Sequence, residues 1–271
     1  YEWHPYGYPV AGEAQTVNRI SSSLIKDWHK NRLMPNTLVV SVVGNIDYAD
    51  AKAMVEKNFG SWKKGRQPGA KIPVKITDRK KEKRETFDKN QTHMVIGFLG
   101  PKSGSADYYP FMVLDSVLSG GMSSRLFTEV RDKRNLCYTV YSTFDRTVER
   151  GAFKIYTATS PENEQAAYDA IMDVLRDLEK NGITEDELKS AKAHINGMYK
   201  IGMQDYMGRA DSYVSYEILG LGYENVDKFP ENINAVTVDD VKAVIKKYFN
   251  LDGMTKAVVG AAVKKKKEQS K

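Results

Sequence analysis

The stretch Gly120-Gly121-Met122-Ser123-Ser124-Arg125-Leu126-Phe127-Thr128-Glu129-Val130-Arg131-Asp132-Lys133-Arg134-Asn135-Leu136-Cys137-Tyr138-Thr139-Val140 decides how this chain is read. Paired glycines break one helix, and Ser123-Ser124 can start a second. The plain reading is a glycine-started helix running into a strand. On that reading Arg131 suits the C-terminal end of the helix dipole, and Tyr138 is a half-buried strand residue.

Working outward, a strand is expected upstream over His93–Leu99, stopped by Gly100-Pro101, and then a helix from about Asp107 to Leu118. Downstream, Leu136–Phe144 and Gly151–Thr159 read as two strands of a hairpin with a longer loop. Ser160-Pro161 supplies a cap and a proline at the first helical position. Ala167, Ile171, Val174, Leu175 and Leu178 share one face of the helix that follows. Thr184–Glu187 is a capping box opening a long helix, which Gly197, Gly202 and Gly208 are expected to bend or interrupt. A helix over about Asp211–Leu219, one over Val238–Tyr248 capped by Thr237 with Asp240, and a strand over Lys256–Ala262 complete the pattern. Strands in pairs and helices in blocks predict an α+β fold, a mixed, largely antiparallel sheet packed against helices.

The N-terminal part differs. Residues 1–12 are rich in Pro, Gly and Tyr and read as an extended loop. Val17, Ile20, Leu24, Ile25 and Trp28 recur at helical spacing from about Thr16 to Leu33, and Pro35 stops that helix. Leu38–Val43 is an apolar β-branched run closed by Gly44-Asn45, read as a buried strand. Asp47 caps a helix to about Phe59, with Ala51, Met54 and Val55 inside and Gly60 at its end. Residues 63–90 hold two prolines, two glycines and many lysines, the composition of an interdomain linker.

Bulk properties exclude several classes. The 271 residues are 41% hydrophobic and 28% charged, with a net charge of +6, ordinary for a globular protein. The basic excess gathers in Lys63–Lys89 and Lys264–Lys267, where there is little apolar pattern. A solvated linker and a basic tail account for it, so no nucleic-acid partner is expected. No apolar run approaches the ~18 residues of a membrane span. The single cysteine, Cys137, allows neither an intrachain disulfide nor a cysteine zinc cluster, and its apolar strand favours an inert thiol. The opening residues resemble no signal peptide and lack a Met, so the chain reads as starting inside a longer sequence.

Catalytic motifs are missing as well. The four histidines, His4, His29, His93 and His194, show neither His-Glu-x-x-His nor His-x-x-Glu-His spacing. There is no Gly-x-Ser-x-Gly elbow, Walker loop or Gly-x-Gly-x-x-Gly. No catalytic or metal-binding residue is assigned, and no cofactor is expected in this chain.

The segment quoted first resembles the second repeat of the insulinase/pitrilysin zinc metallopeptidases, which open on Gly-Gly-x-Ser-Ser-Arg-Leu-Phe and carry an Arg and a Tyr seven residues apart. Arg131 and Tyr138 match that pair. His4-Pro5-Tyr6-Gly7, Pro35-Asn36, Val42-Val43-Gly44, Phe59-Gly60-Ser61-Trp62 and Tyr156–Glu162 match other family positions in order. The resemblance implies two similar repeats facing each other as a clamshell, with the metal in the first repeat and Arg131 and Tyr138 as substrate-binding residues in the second. It implies the end of repeat one over 1–62, the linker over 63–90, repeat two over 91–263 and a basic tail over 264–271. The zinc is then expected in a missing N-terminal repeat or in a partner subunit. The implied partners are a peptide substrate and that zinc-bearing repeat or subunit. The chain alone is expected to be inactive. A non-catalytic scaffold or partner subunit of the same fold is the alternative. A half repeat leaves an unpaired sheet edge, and such edges tend to associate, so a homodimer is an option. For a bacterial source the resemblance points to the periplasm.

Overall fold

The structure, a computed structural model, describes residues 1, 4–65, 72–75, 80–87 and 90–261. The basic tail 264–271, parts of the expected linker 63–90 and the end of the expected last strand at Ala262 lie outside the described residues. Backbone contacts divide the chain into two compact units, Tyr1–Lys75 with Gly202–Val226, and Ile76–Ile201 with Asp227–Lys271.

In the first unit, the single helix expected from Thr16 to Leu33 is two: α1, Ala14–Val17, and α2, Ser22–Arg32. Ser21 causes the restart, its Oγ accepting the Leu24 N–H at 3.2 Å. Helix α3 spans Tyr48–Phe59. The expected burial is corrected here. Ile20, Leu24, Ile25 and Trp28 are exposed, and neither α2 nor α3 holds a buried residue. Periodicity creates an apolar stripe, but burial needs an opposing element, and none covers this stripe among the described residues. The expected strand Leu38–Val43 is also not formed. Leu38 is extended, yet the run pairs with no described neighbour, and a strand exists only through its ladder.

The second unit is built on a five-stranded sheet in the order β1-β5-β2-β4-β3. In chain order it runs β1 (Lys81–Thr86), β2 (Thr92–Leu99), α4 (Tyr108–Ser119), a π-helix (Phe127–Asp132), β3 (Cys137–Asp145), β4 (Ala152–Thr159), α5 (Glu164–Asn181) and α6 (Glu185–Gly202). Helix α7 (Tyr206–Ile218) falls to the first unit, and α8 (Phe229–Ala235), α9 (Val238–Tyr248) and β5 (Thr255–Gly260) close the second. β1 pairs parallel with β5, and every other neighbour is antiparallel. The α+β class and the hairpin of β3 and β4 are as expected. β1 is not, because its six residues lie inside the expected linker. Lys-Glu-Lys-Arg-Glu-Thr carries no apolar signal, and all six are exposed. The charges suit a blunted sheet edge, and Arg84 ties the strand down with a fork to Glu164 at 2.6 and 3.0 Å. α6 also runs unbroken through Gly197, ends at Gly202, and leaves Gly208 in the first turn of α7.

One face of the sheet carries the core. On β2 the burial alternates residue by residue, with Met94, Ile96 and Phe98 inward. Phe111 of α4 meets Phe144, Phe153, Tyr248 and Phe249 edge-on or tilted, at ring centroid distances of 4.7, 5.5, 5.4 and 6.4 Å. This aromatic cluster fixes α4 and α9 to the sheet and leaves its opposite face half open.

Candidate functional site

The segment between α4 and β3 is shaped by its glycines. A Cβ on Gly120 would lie 2.5 Å from the Ser116 carbonyl oxygen, and Gly121 has φ +129°, which L side chains rarely adopt. A new helix starts at Arg125 and widens into a π-turn, where the Lys133 N–H reaches back five residues to the Thr128 oxygen at 2.9 Å. Such π-turns often accompany functional sites. Asn135, at φ +50°, ends the helix in the left-handed conformation that Asn tolerates. The Asn135 N–H bonds to Arg131 O and the Leu136 N–H to Val130 O, both at 3.1 Å.

The chain turns back into β3 with a bulge. Cys137 pairs with Thr159 and Thr139 with Ala158, so Tyr138 is the extra residue. A bulge re-aims a side chain, and Tyr138 is 76% exposed. Thr157 Oγ1 donates to Thr139 O at 3.0 Å and Thr159 Oγ1 to Leu136 O at 2.5 Å, satisfying carbonyls at the bulge.

These two irregularities bring the expected pair together. The Arg131 guanidinium lies 4.7 Å from the centre of the Tyr138 ring and also 4.7 Å from that of Phe127. Phe127, one turn upstream at i,i+4 spacing, is the member that sequence reading left without a role. Cation–π contacts restrain a guanidinium through its faces, and Arg131 makes no ion pair among the described residues. Its N–H edge donors therefore remain available. The pair borders an open cleft of about 580 Å³ whose other walls include Gln91, Asn135, Thr159 and Asn163. Cys137 also lines it, and burial pushes its thiol up in pKa, against the Thr157 hydrogen bond and the Arg131 charge. That disfavours the reactive thiolate.

Arg125 behaves in the opposite way. It donates to Glu187 at 2.5 and 2.8 Å, to Asp177 at 2.8 Å and to the Gly182 carbonyl at 2.8 Å. Burial alone would lower its pKa, but the Glu187 hydrogen bonds and charge outweigh it and the value is raised. Glu187 also completes the capping box of α6, accepting the Thr184 N–H at 2.8 Å. Arg125 is thus a structural pin.

Among the described residues the donors do not fit a zinc centre. His4 Nε2 lies 2.9 Å from Ile72 O, His93 Nδ1 is paired with the Tyr156 hydroxyl at 2.7 Å, and His29 and His194 sit on α2 and α6. Among the described residues no three His, Cys, Asp or Glu side chains are placed to hold a metal ion. Among the same residues no helix is long and apolar enough to cross a membrane.

Comparison with known proteins adds an independent line. Residues 19–195 match the model of the peptidase M16 inactive domain. The chain is 35% identical over 248 residues to an uncharacterized zinc protease of Mycobacterium tuberculosis, covering 90% of this chain and 56% of that protein. It is 31% identical over 253 residues to the uncharacterized zinc protease YmxG of Bacillus subtilis, covering 93% and 61%. The crystal structure of a peptidase M16 inactive domain from Pseudomonas fluorescens superposes with a TM-score of 0.90 at 28% identity, over 98% of this chain and 63% of that one. The chain therefore spans a little over half the length of the curated relatives it matches.

Proposed function

The chain belongs to the peptidase M16 inactive-domain family, and from that footing we propose that it is the substrate-binding half of a zinc-dependent endopeptidase. Arg131 and Tyr138 hold the peptide, and the metal belongs to a zinc-bearing repeat or partner subunit that closes over this half. The observation that supports this reading is the state of Arg131. A guanidinium at the rim of an open cleft, held by two ring faces and by no carboxylate among the described residues, has its planar fork free for an acceptor. A peptide carbonyl or carboxylate fits that fork, and Arg binds it without changing protonation. The exposed Tyr138 hydroxyl is a second donor beside it. Donors fixed in advance stabilise charge on a reacting carbonyl more than they stabilise the neutral substrate. Phe127 and the π-turn hold the pair in place before substrate arrives.

The test is peptide cleavage by this chain combined with its zinc-bearing half. Arg131→Ala is expected to lower kcat/KM by about 10²–10³-fold, the range for one lost oxyanion donor. Tyr138→Phe, losing one hydroxyl, is expected to cost about tenfold or more. The purified chain by itself is expected to show no zinc-dependent hydrolysis. Wild-type rates from both variants in an active assembly would favour a scaffold role instead.

A further inference from the structure

Tyr138 keeps its outward aim only while β3 carries one residue too many. Like-facing residues of a strand lie two apart, yet Cys137 and Val140, both buried, lie three apart. Tyr138 and Thr139 stand between them where a regular strand has one residue. Thr139 already faces Ala158, so regular pairing would set Tyr138, not Cys137, opposite Thr159. A one-residue slip moves a side chain to the other face of the sheet. Tyr138 would then share the face of Val140 and leave the cleft. A bulge residue is unpaired in the ladder, so other bonds must hold this register.

Two threonines of β4 supply those bonds. Thr159 Oγ1 donates to Leu136 O at 2.5 Å, and Thr157 Oγ1 donates to Thr139 O at 3.0 Å. The Thr157 hydroxyl is also hydrogen-bonded with the Cys137 thiol. Side chains from the neighbouring strand thus grip the backbone on both sides of Tyr138. Thr157 is fully buried and Thr159 is 3% exposed, so each hydroxyl bonds where water has little access. Packing and strand propensity do not require these hydroxyls, because Val has the same shape and suits a strand as well. We propose that Thr157 and Thr159 are positioning residues of the peptide-binding pair. Their hydroxyls hold the bulge and thereby keep the Tyr138 ring against Arg131 and its hydroxyl in the cleft. The inference rests on the peptide-holding role of Arg131 and Tyr138 and names what sets their geometry.

The experiment removes one hydroxyl at a time and reads Tyr138 in two ways. Nitration by tetranitromethane, mapped by peptide mass spectrometry on this chain, follows the exposure of the Tyr138 ring. The fully buried Tyr108 shows in the same sample whether a variant is folded. Peptide cleavage by the chain assembled with its zinc-bearing half follows function. Thr159→Val and Thr157→Val are each expected to cut nitration of Tyr138 severalfold with Tyr108 still unmodified. Each is expected to lower kcat/KM about three- to tenfold. Thr159→Ser, which keeps the donor, is expected to match wild type in both readouts. In a Tyr138→Ala background Thr159→Val is expected to cause no further loss of rate. An undiminished loss there would assign the threonine to the fold alone and overturn the proposal. Unchanged nitration of Tyr138 in both Val variants overturns it as well, and leaves the Arg131 result intact. If Arg131→Ala and Tyr138→Ala both cleave like wild type, the peptide-holding reading falls and the positioning role with it, even where nitration shows that the bulge has slipped.

Discussion

Two arginines six positions apart in one segment meet opposite fates. Arg125 is saturated by Glu187, Asp177 and a carbonyl, and Arg131 is held by the faces of Phe127 and Tyr138. Residue type does not separate them, and Glu129 lies within four positions of both. The difference arises because α5 and α6 bring their acids to Arg125, whereas Arg131 opens onto a cleft. This gives Phe127 a testable part. An exposed cation–π contact contributes ~0.5–1 kcal/mol, so Phe127→Leu is expected to lower kcat/KM about two- to fivefold in the active assembly, with Phe127→Tyr close to wild type. In an Arg131→Ala background the same change is expected to have no further effect. An undiminished loss there would show that Phe127 supports the fold and not the guanidinium.

At the level of elements, the capping boxes of α6 and α9 and the buried face of α5 follow from local spacing. The Thr237–Asp240 box forms as expected, with the Asp240 N–H donating to Thr237 Oγ1 at 3.1 Å. Ala167, Ile171, Val174, Leu175 and Leu178 are all buried. The π-turn and the bulge at Tyr138 were not legible, because a one-residue change of pitch or register leaves the pattern of residue types intact. The Arg125–Glu187 pair gives this level its pH test. Burial would raise the Glu187 pKa, but the Arg125 hydrogen bonds, the Thr184 N–H and the Arg125 charge hold it below the usual carboxylate range. The ionised form is thus the stabilising one. Its contribution is complete above the unfolded value of about 4.3 and is lost as pH falls through the lower folded value. Glu187→Gln is expected to cost roughly 2 kcal/mol near neutral pH. The gap in thermal midpoint between wild type and variant should narrow between about pH 5 and 3. A gap constant over that range would mean that Glu187 carries no such linkage.

Across the whole molecule, protection should follow burial. β2 and β4 are interior strands of the sheet with Met94, Ile96, Phe153 and Ile155 fully buried beneath them, whereas α2 buries none of its residues. Amide hydrogen exchange is expected to be slowest in β2 and β4 and far faster in α2. Equal protection in α2 would show that its apolar stripe is covered in solution.

Most helices and four of the five strands were readable from residue order, because caps, glycines and apolar periodicity act over a few residues, whereas the Arg131–Tyr138 pair was marked only by the family resemblance. The fifth strand, the exposed stripe of α2 and the unpaired run Leu38–Val43 could not be read that way. Whether a segment is a strand, or an apolar face is core, depends on what lies opposite it. Lys81–Thr86 became a strand because β5 offered a parallel edge, and Leu38–Val43 stayed single because no described edge met it.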